Sequence, residues 1–188
     1  MAFGGADFIS MSEMNQLLGT SLFNTAIYYG LELDYALNRR WGLILRAEKI
    51  SASSSIESTS FSLSALPVSV GASYDLIDKG KFKLQAAALL GYASGVQLTE
   101  NASGFPSPNV TQFSSSAMME MLRINADYKI SDLLSLYAEA GYRLLKTSSV
   151  PPSQTGNGGT LFQSNGSYAS IPLNLDGPVL GVGVVFNF

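Results

Sequence analysis

Residues 25–37 alternate with a period of two. Ile27, Tyr29, Leu31, Leu33, Tyr35 and Leu37 share one parity, and Tyr28, Gly30, Glu32, Asp34 and Ala36 share the other. Successive side chains of a strand point to opposite faces, so this pattern predicts a strand with its charges on one side. The pattern returns along the chain. Trp41, Leu43, Leu45 and Ala47 oppose Gly42, Arg46 and Glu48, with Ile44 an apolar exception. Leu66 to Leu76, Phe82 to Tyr92, Leu122 to Ile130 and Leu134 to Tyr142 repeat it. The chain is predicted to be all-β, a single domain over residues 1–188.

Composition narrows the class. Hydrophobic residues make up 46% of the 188 and charged residues only 13%, about half the usual charged share. Disorder needs the reverse balance. The absence of Cys and His argues against a disulfide scaffold and against zinc or haem sites, so no cofactor is expected. A net charge of -3 with scattered Lys and Arg offers no basic patch for nucleic acid. The longest apolar run, Ala86 to Ala93, is far short of a membrane helix. The segment MAFGGADFIS lacks the basic and apolar regions of an intact secretory signal, so a mature form with its signal peptide removed is expected.

Connection lengths give the architecture. Short turns follow the strands ending near residues 37, 76 and 130, and Ser/Gly/Pro/Asn-rich loops are expected at about 51–60, 99–114 and 147–167. Near the C-terminus, Ile171, Leu173 and Leu175 sit on one parity and Leu180, Val182, Val184, Phe186 and Phe188 on the other. Either a hairpin turn or a β-bulge at Asp176-Gly177-Pro178 accounts for the switch, and the bulge is favoured. An even strand number then requires a first strand within residues 6–18. The total is eight, which closes a small up-and-down antiparallel barrel.

Alternation does not say which face is inside. A soluble barrel has its apolar face inward, and a membrane barrel the reverse. The less apolar face here carries Gly30, Gly42, Gly71, Gly91, Gly95, Gly141, Gly181 and Gly183, which suit a crowded, curved interior. Tyr28 and Tyr137 are the expected fillers of the space these glycines leave. Tyr35, Trp41, Tyr74, Phe82, Tyr128 and Phe186 lie on the apolar face near the short turns, as one aromatic girdle. Tyr92, Tyr142 and Phe61 lie toward the long loops. Twenty-five charged residues are also few for solvating a barrel exterior. The expected fold is an eight-stranded antiparallel transmembrane β-barrel.

The ending Leu175-Asp176-Gly177-Pro178-Val179-Leu180-Gly181-Val182-Gly183-Val184-Val185-Phe186-Asn187-Phe188 resembles the last strand of small Gram-negative outer-membrane β-barrel proteins. The resemblance implies an outer-membrane location. It also implies that Phe186 and Phe188 belong to a signal read by the barrel-assembly machinery. It implies no activity: barrel enzymes that modify lipid A use His, and this chain has none.

The inward set is Glu32, Asp34, Arg46, Glu48, Lys83, Arg123, Asp127, Glu139 and Arg143. Charges in a narrow interior must be paired, so these residues are expected to form a salt-bridged plug. Carboxylate pairs such as Glu32/Asp34 or Glu48/Glu139 fit that plug better than catalysis, and a non-enzymatic protein is expected. Its role would be structural, or surface recognition and adhesion through the long loops. The alternative is a narrow pore for small solutes or ions. Membrane lipid is the expected partner. Small outward residues at Ala72, Ala86, Ala88, Ala126, Ala138 and Ala140 also suggest a homo-oligomer with lipid held between barrels.

Overall fold

The alternating segments form strands, each pairing antiparallel with the next, and the last strand closes on the first. The structure is a computed structural model that describes residues 1–9, 24–56, 59–102, 109–147, 152–155, 163–164, 167–168 and 173–187. The barrel strands are β1 (Ala2–Asp7), β2 (Ala26–Ala36), β3 (Trp41–Ile56) and β4, in two segments (Thr59–Ala65 and Pro67–Lys79). They continue as β5 (Phe82–Ala102), β6 (Asn109–Lys129), β7 (Leu134–Thr147) and β8 (Gly177–Phe186). Both segments of β4 pair with the same neighbours, β3 and β5. Closure is made by β1 with β8, from Ala2↔Val184 to Asp7↔Val179. The described residues contain no helix.

The register sets the shape. Pairing leads from Ala2 through Leu31, Ala47, Val68, Tyr92, Met118 and Lys146 to Asn174, just upstream of β8. Asn174 lies ten residues from Val184, the partner of Ala2 (184 − 174 = 10). A stagger of ten over eight strands tilts them by about 40°, so each residue climbs roughly 2.5 Å along the barrel axis.

The first strand lies earlier than residues 6–18. It is Ala2–Asp7, and residues 10–18 of the expected segment lie outside the described residues. Gly4 and Gly5 carry no side chains, so they erase the alternation that would have marked it. A Cβ on Gly5 would stand 2.6 Å from the Gly181 Cα and 2.7 Å from the Tyr28 hydroxyl, so the glycine lets β1 and β8 close beside that tyrosine.

The connections expected at 51–60 and 99–114 are largely strand. β3 continues to Ile56, β4 starts at Thr59, β5 continues to Ala102 and β6 starts at Asn109. Their serines alternate with inward apolar residues, so the Ser-rich composition reads as loop although the period is that of a strand. Within the loop expected at 147–167, Pro152–Thr155 pairs along β6 opposite Val110 to Phe113.

There is neither a bulge nor a hairpin turn at Asp176-Gly177-Pro178. The pair Lys146↔Asn174 has the same register as Gly177↔Arg143 (146 + 174 = 177 + 143), so the strand runs through unshifted. Leu173, Leu175 and Val179 all face in and are fully buried, while Leu180 and Val182 face out. The switch belongs to the lumen, which changes from polar to apolar at this height. The bulges lie elsewhere, between Asp75 and Ile77 and between Ala93 and Val96. Gly95 falls in the second one, with open space where its Cβ would be, instead of lining the inner face.

Candidate functional site

The lumen has three layers. The middle layer is an ion-pair network hung from β1, β2, β3, β6 and β7. Fully buried Arg46 on β3 donates through both terminal nitrogens to Glu139 on β7, at 2.9 Å each. Its Nη1 also reaches Glu32 at 3.2 Å, and its Nε donates to Glu48 at 2.9 Å. Arg123 on β6 donates to Glu32 at 2.5 Å and to Glu139 at 2.7 Å. One level higher, Arg143 links Glu48 (2.7 Å) to Asp7 on β1. Charge-assisted, bidentate bonds of this kind are the strong ones, and the low-dielectric interior raises the cost of leaving any partner single.

Aromatic groups complete the layer. Tyr28 donates to Glu139 at 2.8 Å, and Tyr137 accepts from Arg123 at 2.7 Å while donating to Glu139. The Arg46 guanidinium stacks 3.8 Å from the Phe3 ring centroid, within cation–π range. Glycine makes this possible, because a Cβ on Gly30 would stand 2.8 Å from Phe3 Cζ.

The upper layer, toward the long loops, is apolar. Ile50, Phe61, Leu63, Val96, Leu98, Phe113, Leu145, Leu173 and Leu175 are buried there. Phe61 is therefore a lumen residue and not part of the outer aromatic set. Ile44, the apolar exception of β3, also faces in and is fully buried.

The lower layer is an open vestibule of about 660 Å³ at the short-turn end. It takes Asp34, Lys83 and Asp127 out of the sealed network in which they were expected. Asp34 is exposed and Asp127 half-buried, and Lys83 pairs with Asp75 at 3.2 Å. At the rim, Lys129 lies 2.8 Å from fully exposed Asp132 and holds its carboxyl below the usual range through a hydrogen bond.

Six of the nine expected lumen charges therefore meet in one network: Glu32, Arg46, Glu48, Arg123, Glu139 and Arg143. Sequence reasoning missed Asp7 as a member. Its signal is parity: it shares the inward phase of Phe3 and Gly5, but the two glycines hide that phase.

The outer face carries the large apolar side chains. Leu31, Leu33, Leu43, Leu45, Val68, Val70, Leu90, Leu122, Ile124 and Val182 are all about half or more exposed. Tyr35, Trp41, Phe82, Tyr128 and Phe186 are also exposed, and Tyr74 is half-buried beside Trp41. By register and tilt they form a ring within roughly 7 Å of height near the short turns. Tyr29, Tyr92 and Tyr142 form a second ring, roughly 20 Å above the first. Among the described residues, the outward-facing charges Glu120 and Lys49 lie level with the upper ring, and Lys146 lies above it. Phe188 lies outside the described residues.

No protein-family model matches the chain, and no curated protein matches it.

Proposed function

We propose that this chain is a transmembrane barrel of a Gram-negative outer membrane. It is non-enzymatic, with a structural or surface-interaction role carried by the segments at its long-loop end. The observation that carries the reading is the exterior: a continuous belt of exposed aliphatic side chains bounded above and below by aromatic rings. A water-facing surface of that size and apolarity would associate or aggregate. The spacing of roughly 20 Å between the two rings is close to the apolar band of about 25 Å, flanked by aromatic girdles, that suits a bilayer. The ending through Phe186 and Phe188 suits recognition by the barrel-assembly machinery, and lipid is the partner of the belt.

A plugged lumen is the companion proposal, and it is favoured over a narrow pore. Two successive barriers support it, the buried ion-pair network and the apolar layer above. The closed interior leaves the long-loop end as the interaction surface.

Refolding into detergent or lipid vesicles tests the reading. The expected result is β-sheet circular dichroism and a band that shifts on heating in an unboiled gel. Slower bands in the same gel would add the homo-oligomer. A β-rich fold obtained without detergent would overturn the membrane assignment.

A further inference from the structure

The lower vestibule holds a feature that the plug does not use. Asn125 is only 3% exposed, yet its Oδ1 has no hydrogen-bond partner. Its Nδ2 is committed, donating to Gln85 Oε1 at 2.8 Å. The amide is therefore oriented with its acceptor spare. Asp127, two residues further along the same face of β6, also has a buried oxygen, Oδ1, with no partner. Gln85 ties the third acceptor to the pair, since its Nε2 donates to Asp34 Oδ2 at 3.2 Å. All four residues line the vestibule.

Lys83, the cross-strand neighbour of Asp127, offsets part of that carboxylate's charge, but the ion pairs of the local lysines go elsewhere. Lys83 goes to Asp75 at 3.2 Å, and Lys129 goes to Asp132 at 2.8 Å. Lys81 lines the vestibule as well. Among the described residues, neither Asp34 nor Asp127 has an ion pair. A buried acceptor without a donor is destabilising, because its desolvation is not repaid. Two on adjacent inward positions of one strand, with a carboxylate facing them, make a site for a positive ion. Carboxylate and amide oxygens without nitrogen or sulfur suit a hard cation. The open mouth leaves room for the ion to keep several waters.

We infer that the vestibule binds a hard divalent cation, of the calcium or magnesium class, at Asp34, Asn125 and Asp127. With two carboxylates, one amide and retained water, the affinity belongs with open extracellular sites, on the order of 10⁻⁴–10⁻³ M.

The test is calorimetric titration of calcium chloride, and separately magnesium chloride, into the folded full chain. The medium is whichever one the chain folds in, a non-ionic detergent or water, so the outcome does not depend on the membrane reading. The expected result is one saturable site per chain. Asp127→Asn and Asn125→Leu should each weaken it at least tenfold, and Asp132→Asn should leave it within twofold. Each variant is admitted only with wild-type circular dichroism. No saturable binding by the wild type would overturn the inference. So would equal weakening by Asp132→Asn, which would mean a diffuse acidic rim, or displacement of both metals by millimolar putrescine, which would mean an organic ammonium site.

Discussion

Arg46 holds Glu139 with two parallel hydrogen bonds of 2.9 Å, tying β3 to β7 across the lumen between residues 93 apart in sequence. The same guanidinium serves Glu32 and Glu48. Arg46→Met therefore takes one guanidinium from three buried carboxylates at once, leaving Glu32 and Glu139 to Arg123 and Glu48 to Arg143. Removing one partner of a buried pair costs about 3–5 kcal/mol. The variant should lose stability in that range, read as a lower urea midpoint for the refolded chain. Adding Glu139→Leu should restore part of the loss, because the second change removes one of the carboxylates left in excess over the remaining guanidiniums. Failure of the double variant to recover anything would mean that the pair is not the coupling element.

Asp7 should behave differently from the other acids. The network sets four carboxylates, Asp7, Glu32, Glu48 and Glu139, against three guanidiniums, Arg46, Arg123 and Arg143. Asp7 has one partner there, Arg143, and its Oδ1 has none. Glu139 accepts from Arg46, Arg123, Tyr28 and Tyr137. Asp7→Asn equalises the charges and gives up a single ion pair, so its urea midpoint should fall less than that of Glu139→Gln. The opposite order would mean that Asp7 anchors the network.

Glycine positions make a sharper test of packing. A Cβ on Gly181 would stand 2.9 Å from Glu139 Oε1 and also meet the Tyr28 hydroxyl. Gly181→Ala should displace that hydroxyl from Glu139 and cost about 1–3 kcal/mol, the range for overpacking. Tyr28→Phe in the Gly181→Ala background removes the clashing oxygen and should recover part of the loss. No recovery would place the strain in the β7–β8 backbone instead.

The outer face and the middle of the lumen are legible in the sequence. There, apolar-out and polar-in alternation agrees with the observed strand parity from Ile27 to Tyr35 and from Leu134 to Tyr142. The long-loop end is not legible. Once inward residues become apolar and outward ones become Ser or Asn, the alternation survives with its phase reversed. Leu173 and Leu175 then mimic a bulge, and Phe61 mimics a girdle residue. Burial on the inside and burial in lipid select the same side chains, and periodicity alone does not separate them. The vestibule is partly legible: Asp34, Lys83 and Asp127 have inward parity, but only the register reveals that they lie below the seal.

Conductance separates the two barriers. Wild-type chain in planar bilayers should give no steady open state. Arg46→Ala with Arg123→Ala opens the polar layer but leaves Phe61, Phe113, Leu173 and Leu175 above it, so it too should stay closed. Phe61→Ala with Phe113→Ala should stay closed for the converse reason. Only the combination of all four, among variants that keep the heat-modifiable band, should conduct. A steady open state in the wild type would favour the narrow pore.

Trp41 reports on depth. It is the single tryptophan of the chain, half exposed on the outer face. Its ring packs 5.0 Å from that of Tyr74, whose hydroxyl accepts from Arg40 at 2.8 Å. The pair sits in the lower aromatic ring, which on the proposed membrane reading belongs at the membrane–water boundary that indole rings favour. On refolding into vesicles its emission should shift to the blue. Nitroxide labels near the lipid headgroups should quench it more than labels at the acyl termini. Equal quenching by deep labels would move the belt along the barrel axis, and no quenching by either would leave the outer face in water.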